Sequence, residues 1–183
     1  MGKAIAAINM TLDGFCDHTV GIVDEELHQH YSALLRSAGT ILYGRITYQL
    51  MEYWPPIVKN PTGNRSIDEF AVIMDAIPKV VFSRTLKKTG WESARIATRS
   101  IEEEIAVLKQ QSDKDILIGS PSLIVAATEL NLVDQYQLCI HPIIAGKGLP
   151  LFKNISDMKL LKLIKTKMFG SGVIVLYYEP IKK

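Results

Sequence analysis

The feature that most constrains this chain is a recurrence. A short apolar run stops on glycine or serine, and a helix-like stretch follows. Tyr43-Gly44-Arg45, Phe82-Ser83-Arg84 and Ile118-Gly119-Ser120 are the three clearest cases. Apolar runs of this length, bounded by turn residues, read as buried strands rather than helices. Strands separated by helical stretches imply crossover connections and a mainly parallel sheet. In such open sheets ligands collect beyond the carboxyl ends of the strands, where all three turns would lie.

The rest of the chain fits that frame. Residues 3–9 are Ile/Ala-rich and read as the first strand, with Asp13-Gly14 marking a turn after it. Asp24 is placed to cap a helix that carries Glu25 and Glu26 in its first turn and Leu27, Tyr31, Leu34 and Leu35 at helical spacing, with Gly39 as its stop. Residues 40–43 form a second strand, and a helix begins near Arg45. Residues 54–63 contain Pro55, Pro56, Pro61 and Gly63 and read as a loop. Residues 66–76 follow as a helix, 78–83 as a strand and 94–97 as a short strand. The segment 100–111 opens with a capping box, Ser100 with Glu103. Residues 115–118, 122–130 and 135–140 read as strand, helix and strand. The tail, 159–166 and 173–178 around Gly170-Ser171-Gly172, reads as an antiparallel hairpin.

At 183 residues one domain spanning 1–183 is the expectation. A net charge of +2 is too small to suggest a nucleic-acid field by itself, and no nucleic-acid or membrane partner is expected. The basic residues between Lys159 and Lys167 alternate with apolar ones, as on a solvated strand face. No apolar run approaches the ~18 residues that span a bilayer, and no leader-like segment is evident. Cys16 and Cys139 are far apart and without ligand-type spacing, so free thiols, a cytoplasmic location and no metal site are expected.

The turns carry the chemistry. A pyrophosphate wants backbone N–H groups at a helix start, and an adenosine 2′-phosphate wants a guanidinium with hydroxyl donors. Gly44 and Gly119, each before a helix, suit the first demand; Arg45 with Ser83, Arg84 and Thr85 suits the second. No G-x-G-x-x-G follows the first strand and no G-K-[ST] occurs, so neither a Rossmann nor a P-loop site is indicated.

Taken together, these segments resemble the dihydrofolate-reductase-like superfamily, and within it the C-terminal reductase domain of RibD, the riboflavin-biosynthesis deaminase/reductase. The match runs through Asn9-Met10-Thr11-Leu12-Asp13-Gly14, Gly44-Arg45-Ile46-Thr47-Tyr48, Lys79-Val80-Val81-Phe82-Ser83-Arg84-Thr85-Leu86, Gly119-Ser120-Pro121-Ser122-Leu123, Leu132-Val133-Asp134, and His141-Pro142 with Gly146-Lys147-Gly148 and Leu151-Phe152. The resemblance implies an α/β three-layer fold, a mixed and mostly parallel sheet flanked by helices with a C-terminal antiparallel hairpin. It also implies NADPH as cofactor, a homodimer, and reduction of a small heterocycle or ribosylaminopyrimidine. It carries the cofactor role to Thr11, Gly44, Arg45, Thr47, Ser83, Arg84, Thr85, Gly119, Ser120, Ser122 and Leu123. The carboxylate that dihydrofolate reductases place on the first helix falls at or near His28, which argues against folate reduction. Pro121 removes one N–H donor from its turn. No zinc-deaminase motif occurs.

Asp13, at the cleft mouth, and His28 are the candidates for moving a proton. His28 and His30 stand two residues apart and face different ways. Asn9, Tyr31, Tyr48 and Trp54 are the candidate walls of a substrate pocket, while His141 before Pro142 reads as structural. The contrasting reading is a non-catalytic binding protein that keeps the fold and the nucleotide site.

Overall fold

The computed structural model describes residues 2–17 and 19–181. Six strands run parallel: β1 (Ala4–Thr11), β2 (Ala38–Gly44), β3 (Lys79–Phe82), β4 (Ala94–Ile96), β5 (Asp115–Ile118) and β6 (Gln135–His141). Two more, β7 (Leu161–Met168) and β8 (Ile174–Pro180), pair antiparallel, and β8 lies antiparallel on β6. Among the described residues they make one eight-stranded sheet in the order β4-β3-β2-β5-β1-β6-β8-β7. The C-terminal hairpin closes as its glycines require, with Gly172 at φ 83.

The helices are α1 (Glu25–Ser37), α2 (Arg45–Met51), α3 (Trp54–Lys59), α4 (Arg65–Ala76), α5 (Ile101–Gln111) and α6 (Pro121–Glu129). Period-two alternation along β1 sends its side chains to two different cores. Ala4, Ala6 and Ile8 pack with Ile105, Ile124 and Ala127 of α5 and α6. Ile5 packs with Leu35, Phe70 and Met74 of α1 and α4. A third cluster sets Leu27 of α1 against Cys139, Val175 and Tyr177. The result is helix, sheet, helix: three layers.

Asp24 caps α1 by accepting from the Leu27 N–H at 2.8 Å, Asn64 caps α4, and Ser100 with Glu103 forms a capping box on α5. By contrast, α2 and α6 have no side-chain cap.

Three expectations change. The segment from Trp54 is not a loop, because α3 begins there. Pro55 and Pro56 occupy its first turn, where a missing N–H costs nothing and a fixed φ favours the helix. Gly39 lies inside β2, after α1 has ended at Ser37. A Cβ there would come within 3.0 Å of the Lys114 side chain, so this glycine serves strand packing. The last strands run two residues beyond their expected ends, β7 to Met168 and β8 to Pro180. The edge strand β7 is exposed along nearly its whole length, and Lys165 and Lys167 lie over the rings of Tyr177 and Phe169 at 4.3 and 4.8 Å. Their methylene stems cover apolar surface while the ammonium stays in water. Cys16 and Cys139 are both free. No helix among the described residues is long and apolar enough to cross a membrane.

Candidate active site

A cleft of about 320 Å³ opens beyond the carboxyl ends of β2 and β3, beside the start of α6. From the β2 turn it takes Gly44, Arg45 and Thr47; from the β3 turn, Ser83, Arg84 and Thr85; from α6, Ser122 and Leu123. Three turns far apart in sequence therefore converge because β5 pairs with β2 and β2 with β3. Ile46 and Phe82 complete the walls. Sequence reasoning passed over these two as ordinary apolar residues, although the 66% exposure of Ile46 marks it as unneeded by the core.

Each wall is built by a local device. Ser83 Oγ accepts from the Thr85 and Leu86 N–H groups at 3.2 and 2.9 Å, which bends the chain and pushes Arg84 outward. Arg45 is exposed, and its Nη1 donates to Gln49 at 3.1 Å. Among the described residues the Arg84 guanidinium has no ion pair or hydrogen-bond partner. The first turn of α6 carries uncapped N–H groups at Ser122 and Leu123 behind Pro121. The cleft thus gathers two guanidinium groups, hydroxyls and free helix-start amides, a donor set that suits phosphate.

Three of the expected cofactor residues do something else. The Gly119 N–H donates to the Leu42 carbonyl at 3.1 Å and so belongs to the sheet. A Cβ at Gly119 would come within 2.8 Å of the Tyr43 ring, so this glycine is demanded by packing. Ser120 is buried and its Oγ accepts from the Gly44 N–H at 2.8 Å, tying β2 to the start of α6. The Gly44 amide is therefore also engaged, and Gly44 lines the cleft only by its small size. Thr11 is fully buried and its hydroxyl donates to Asp13 at 2.6 Å.

Asp13 is a clamp rather than an acid. Its carboxylate accepts from the Thr11 hydroxyl and from the Ala145 and Gly146 N–H groups, fastening the β1 turn to the glycine-rich loop. The Thr11 hydroxyl, then the Gly146 amide, hold its pKa down to about 2, so it has no proton to give near neutrality. Tyr48 is also corrected. It is 1% exposed, its ring lies 6.3 Å from Trp91, and its hydroxyl accepts from the Gly90 N–H, so it is core and not pocket wall.

The other expected residues lie on the α1 side of the sheet. Tyr31 donates its hydroxyl to Asn9 Oδ1 at 2.9 Å. His28, one turn earlier on α1, lines a separate cleft of about 540 Å³ with Asp24, Asn64 and Arg65, its ring 5.6 Å from Phe70. Burial lowers its pKa and the nearby Asp24 opposes that. Trp54 packs edge-on against Phe70 at 4.6 Å and stays half-buried. A larger hollow of about 610 Å³ lies at the opposite, amino-terminal end of β2 and β5, and Leu35, Val72, Ile77 and Leu108 are among the residues that line it.

A mostly parallel sheet between two helical layers, with a phosphate-suited cleft at its carboxyl edge, is the architecture of a reductase-like α/β domain. Residues 3–175 match the RibD C-terminal domain family, and the chain belongs to it. It is 34% identical over 181 residues to the uncharacterized protein YyaP of Bacillus subtilis, covering 97% of this chain and 94% of that one. Its fold matches a putative riboflavin biosynthesis protein from Shewanella sp. PV-4 with a TM-score of 0.75 at 19% identity, over 98% of this chain and 99% of that one. It also matches the diaminohydroxyphosphoribosylaminopyrimidine deaminase/5-amino-6-(5-phosphoribosylamino)uracil reductase of Thermotoga maritima, with a TM-score of 0.67 and 17% identity, over 98% of this chain and 57% of that one.

Proposed function

We propose that this protein is an NADPH-dependent reductase of a small heterocycle of the ribosylaminopyrimidine kind. The observation that carries the reading is the convergence of Arg45, Arg84, Ser83 and the uncapped start of α6 on one cleft. Arg84 and Arg45 would hold an adenosine 2′-phosphate, and the Ser122 and Leu123 amides the pyrophosphate. Phe82 and Ile46 offer apolar surface to the adenine. When bound, the cofactor supplies hydride. The chain's own task is to orient the acceptor beyond the ends of β1 and β5 and to handle one proton. With Asp13 ionised and holding three donors, His28, one turn from Tyr31 on α1 though lining a neighbouring cleft, is the candidate left for that proton. The same reading carries a homodimer. The unpaired edge of β7, with Ile164 and Met168 exposed, is the face on which a second copy would pair.

The test is a titration of the full-length protein with NADPH and with NADH, followed by nucleotide fluorescence. Wild type is expected to prefer NADPH. Arg84→Ala should weaken NADPH about 10- to 100-fold, the worth of a charge-assisted contact, and leave NADH nearly unchanged. Failure of wild type to bind either nucleotide sinks the reading. Binding without turnover of any pterin or ribosylaminopyrimidine would favour a non-catalytic binder.

A further inference from the structure

On the α1 side of the sheet the carboxyl ends of β1 and β6 lie side by side, Asn9 opposite Cys139 and Thr11 opposite His141. There His141, 1% exposed, is bonded on both ring nitrogens. The Ile22 N–H donates to its Nδ1 at 3.0 Å. A neutral imidazole that accepts at Nδ1 carries its proton on Nε2. Nε2 is 3.1 Å from the Asn9 side chain, so the Asn9 atom facing it must be the oxygen. Tyr31 donates to that same Oδ1 at 2.9 Å. Two donors from two different elements thus fix the Asn9 amide in one orientation. Cys139 sits behind the pair, its sulfur 3.9 Å from His141 Nε2.

Asn9 is nevertheless exposed. With Oδ1 occupied twice, the part of the side chain left for a ligand is the NH₂ group. Two bonds into the carbonyl also polarise the amide and strengthen that donor. Ala7, the preceding β1 residue on the same face, packs against the core beneath, so Asn9 is where that face of β1 meets solvent. In the sheet register β5 separates β1 from β2, so Asn9 stands about two strand spacings, roughly 10 Å, from the Gly44 turn.

We propose that His141 and Tyr31 act as positioning residues that lock Asn9 as a hydrogen-bond donor, making Asn9 a specificity determinant for a lactam-type ring carbonyl on the substrate. This rests on the reading of the cleft as a reductase site for a heterocycle. An amide free to rotate would accept either a carbonyl or an amino group; a locked one rejects the amino group by leaving two donors face to face.

The experiment uses the full-length ¹⁵N-labelled protein, with 5,6-diaminouracil as the probe. In wild type the His141 ring should show the Nε2-protonated tautomer, and the Asn9 NH₂ resonances should move as the probe is added. Asn9→Asp, which puts an acceptor where the NH₂ stood, should weaken the probe at least tenfold. His141→Leu should weaken it as much as Asn9→Ala, and His141→Gln, which keeps a donor toward Asn9, should bind within about threefold of wild type. An Nδ1-protonated His141 overturns the proposal, as does full binding by Asn9→Asp. Where His141→Leu fails to fold, the tautomer and the Gln and Asp variants decide. Absence of any probe binding to a wild type that binds NADPH overturns the lactam assignment while the reductase reading stands; absence of both removes the reading as well.

Discussion

The two sides of the cleft end of the sheet are built on opposite plans. Beyond β2, β3 and α6, side chains and amides stand with unspent hydrogen-bonding capacity: Arg84 without a partner among the described residues, α6 without a side-chain cap. Beyond β1 and β6 almost every polar group is already bonded to another. Asp13 holds three donors, and Asn9, Tyr31 and His141 bond among themselves. An array of free donors suits an anion that brings its own charge and tolerates small misplacements. A pre-bonded network suits a neutral ring that must be read by polarity, since its value lies in a fixed direction. On the proposed reading, the difference would separate a half that holds the nucleotide from a half that chooses the substrate.

The largest expected effect bears on where that boundary runs. Tyr48 belongs to neither half but to the core beneath them. Tyr48→Ala should cost about 3–5 kcal/mol of stability, the range for removing a buried aromatic, read by denaturant unfolding. A loss of substrate affinity with unchanged stability would return Tyr48 to the pocket and break the division drawn here.

Next comes the β1 clamp. Asp13→Asn keeps the shape but turns one of two accepting oxygens into a donor: Oδ1, which the Thr11 hydroxyl and the Ala145 amide share, or Oδ2, which the Gly146 amide binds. About 1–2 kcal/mol of stability should go, with faster hydrogen exchange at Ala145 and Gly146. The limbs of the pH–rate profile should keep their positions, because a group already ionised near neutrality sets neither. Loss or displacement of the alkaline limb, along which activity falls as an essential acid gives up its proton, would restore Asp13 as the proton donor.

The same contrast explains what the sequence made legible. The cleft beyond β2, β3 and α6 is assembled from contiguous motifs, a strand end plus its turn, and eight of the residues singled out from those motifs line it. The fold was legible for the same reason, since apolar runs and caps are local signals. Where the local signal was ambiguous the structure decided. Prolines at 55 and 56 looked like loop but start α3, and Gly119 looked like a phosphate turn but makes room for Tyr43. The β1/β6 end depends on pairings across 119 to 133 positions, such as Ile22 to His141, Asn9 to His141 and Asp13 to Gly146. Nothing in a single sequence announces these. His141 before Pro142 carried no signal that it would reach Asn9.

The smallest effect is also the most discriminating. Among the described residues, the histidines whose pKa values burial lowers, His28, His30 and His141, sit on α1 or β6. For His30, burial and then Lys167 and Lys165 bring the value to about 4. A base whose folded pKa lies below its unfolded value takes up more protons when unfolded, so its contribution is fully present above about pH 6.5 and is lost as pH falls through the folded value. Acid should therefore loosen the α1 and β6 end first, with His30 alone contributing a few tenths of a kcal/mol over the first half unit below about pH 6.5 and His28 and His141 acting in the same direction. Hydrogen exchange compared at pH 7 and pH 5.5, corrected for intrinsic rates, should show lost protection in α1 and the end of β6 while β2, β3 and α6 hold. At His141 the added proton must go to Nδ1, against the Ile22 N–H, so that amide should be among the first to open. Uniform loss of protection across both halves would mean that they unfold as one unit, and that the contrast in their bonding has no counterpart in their stability.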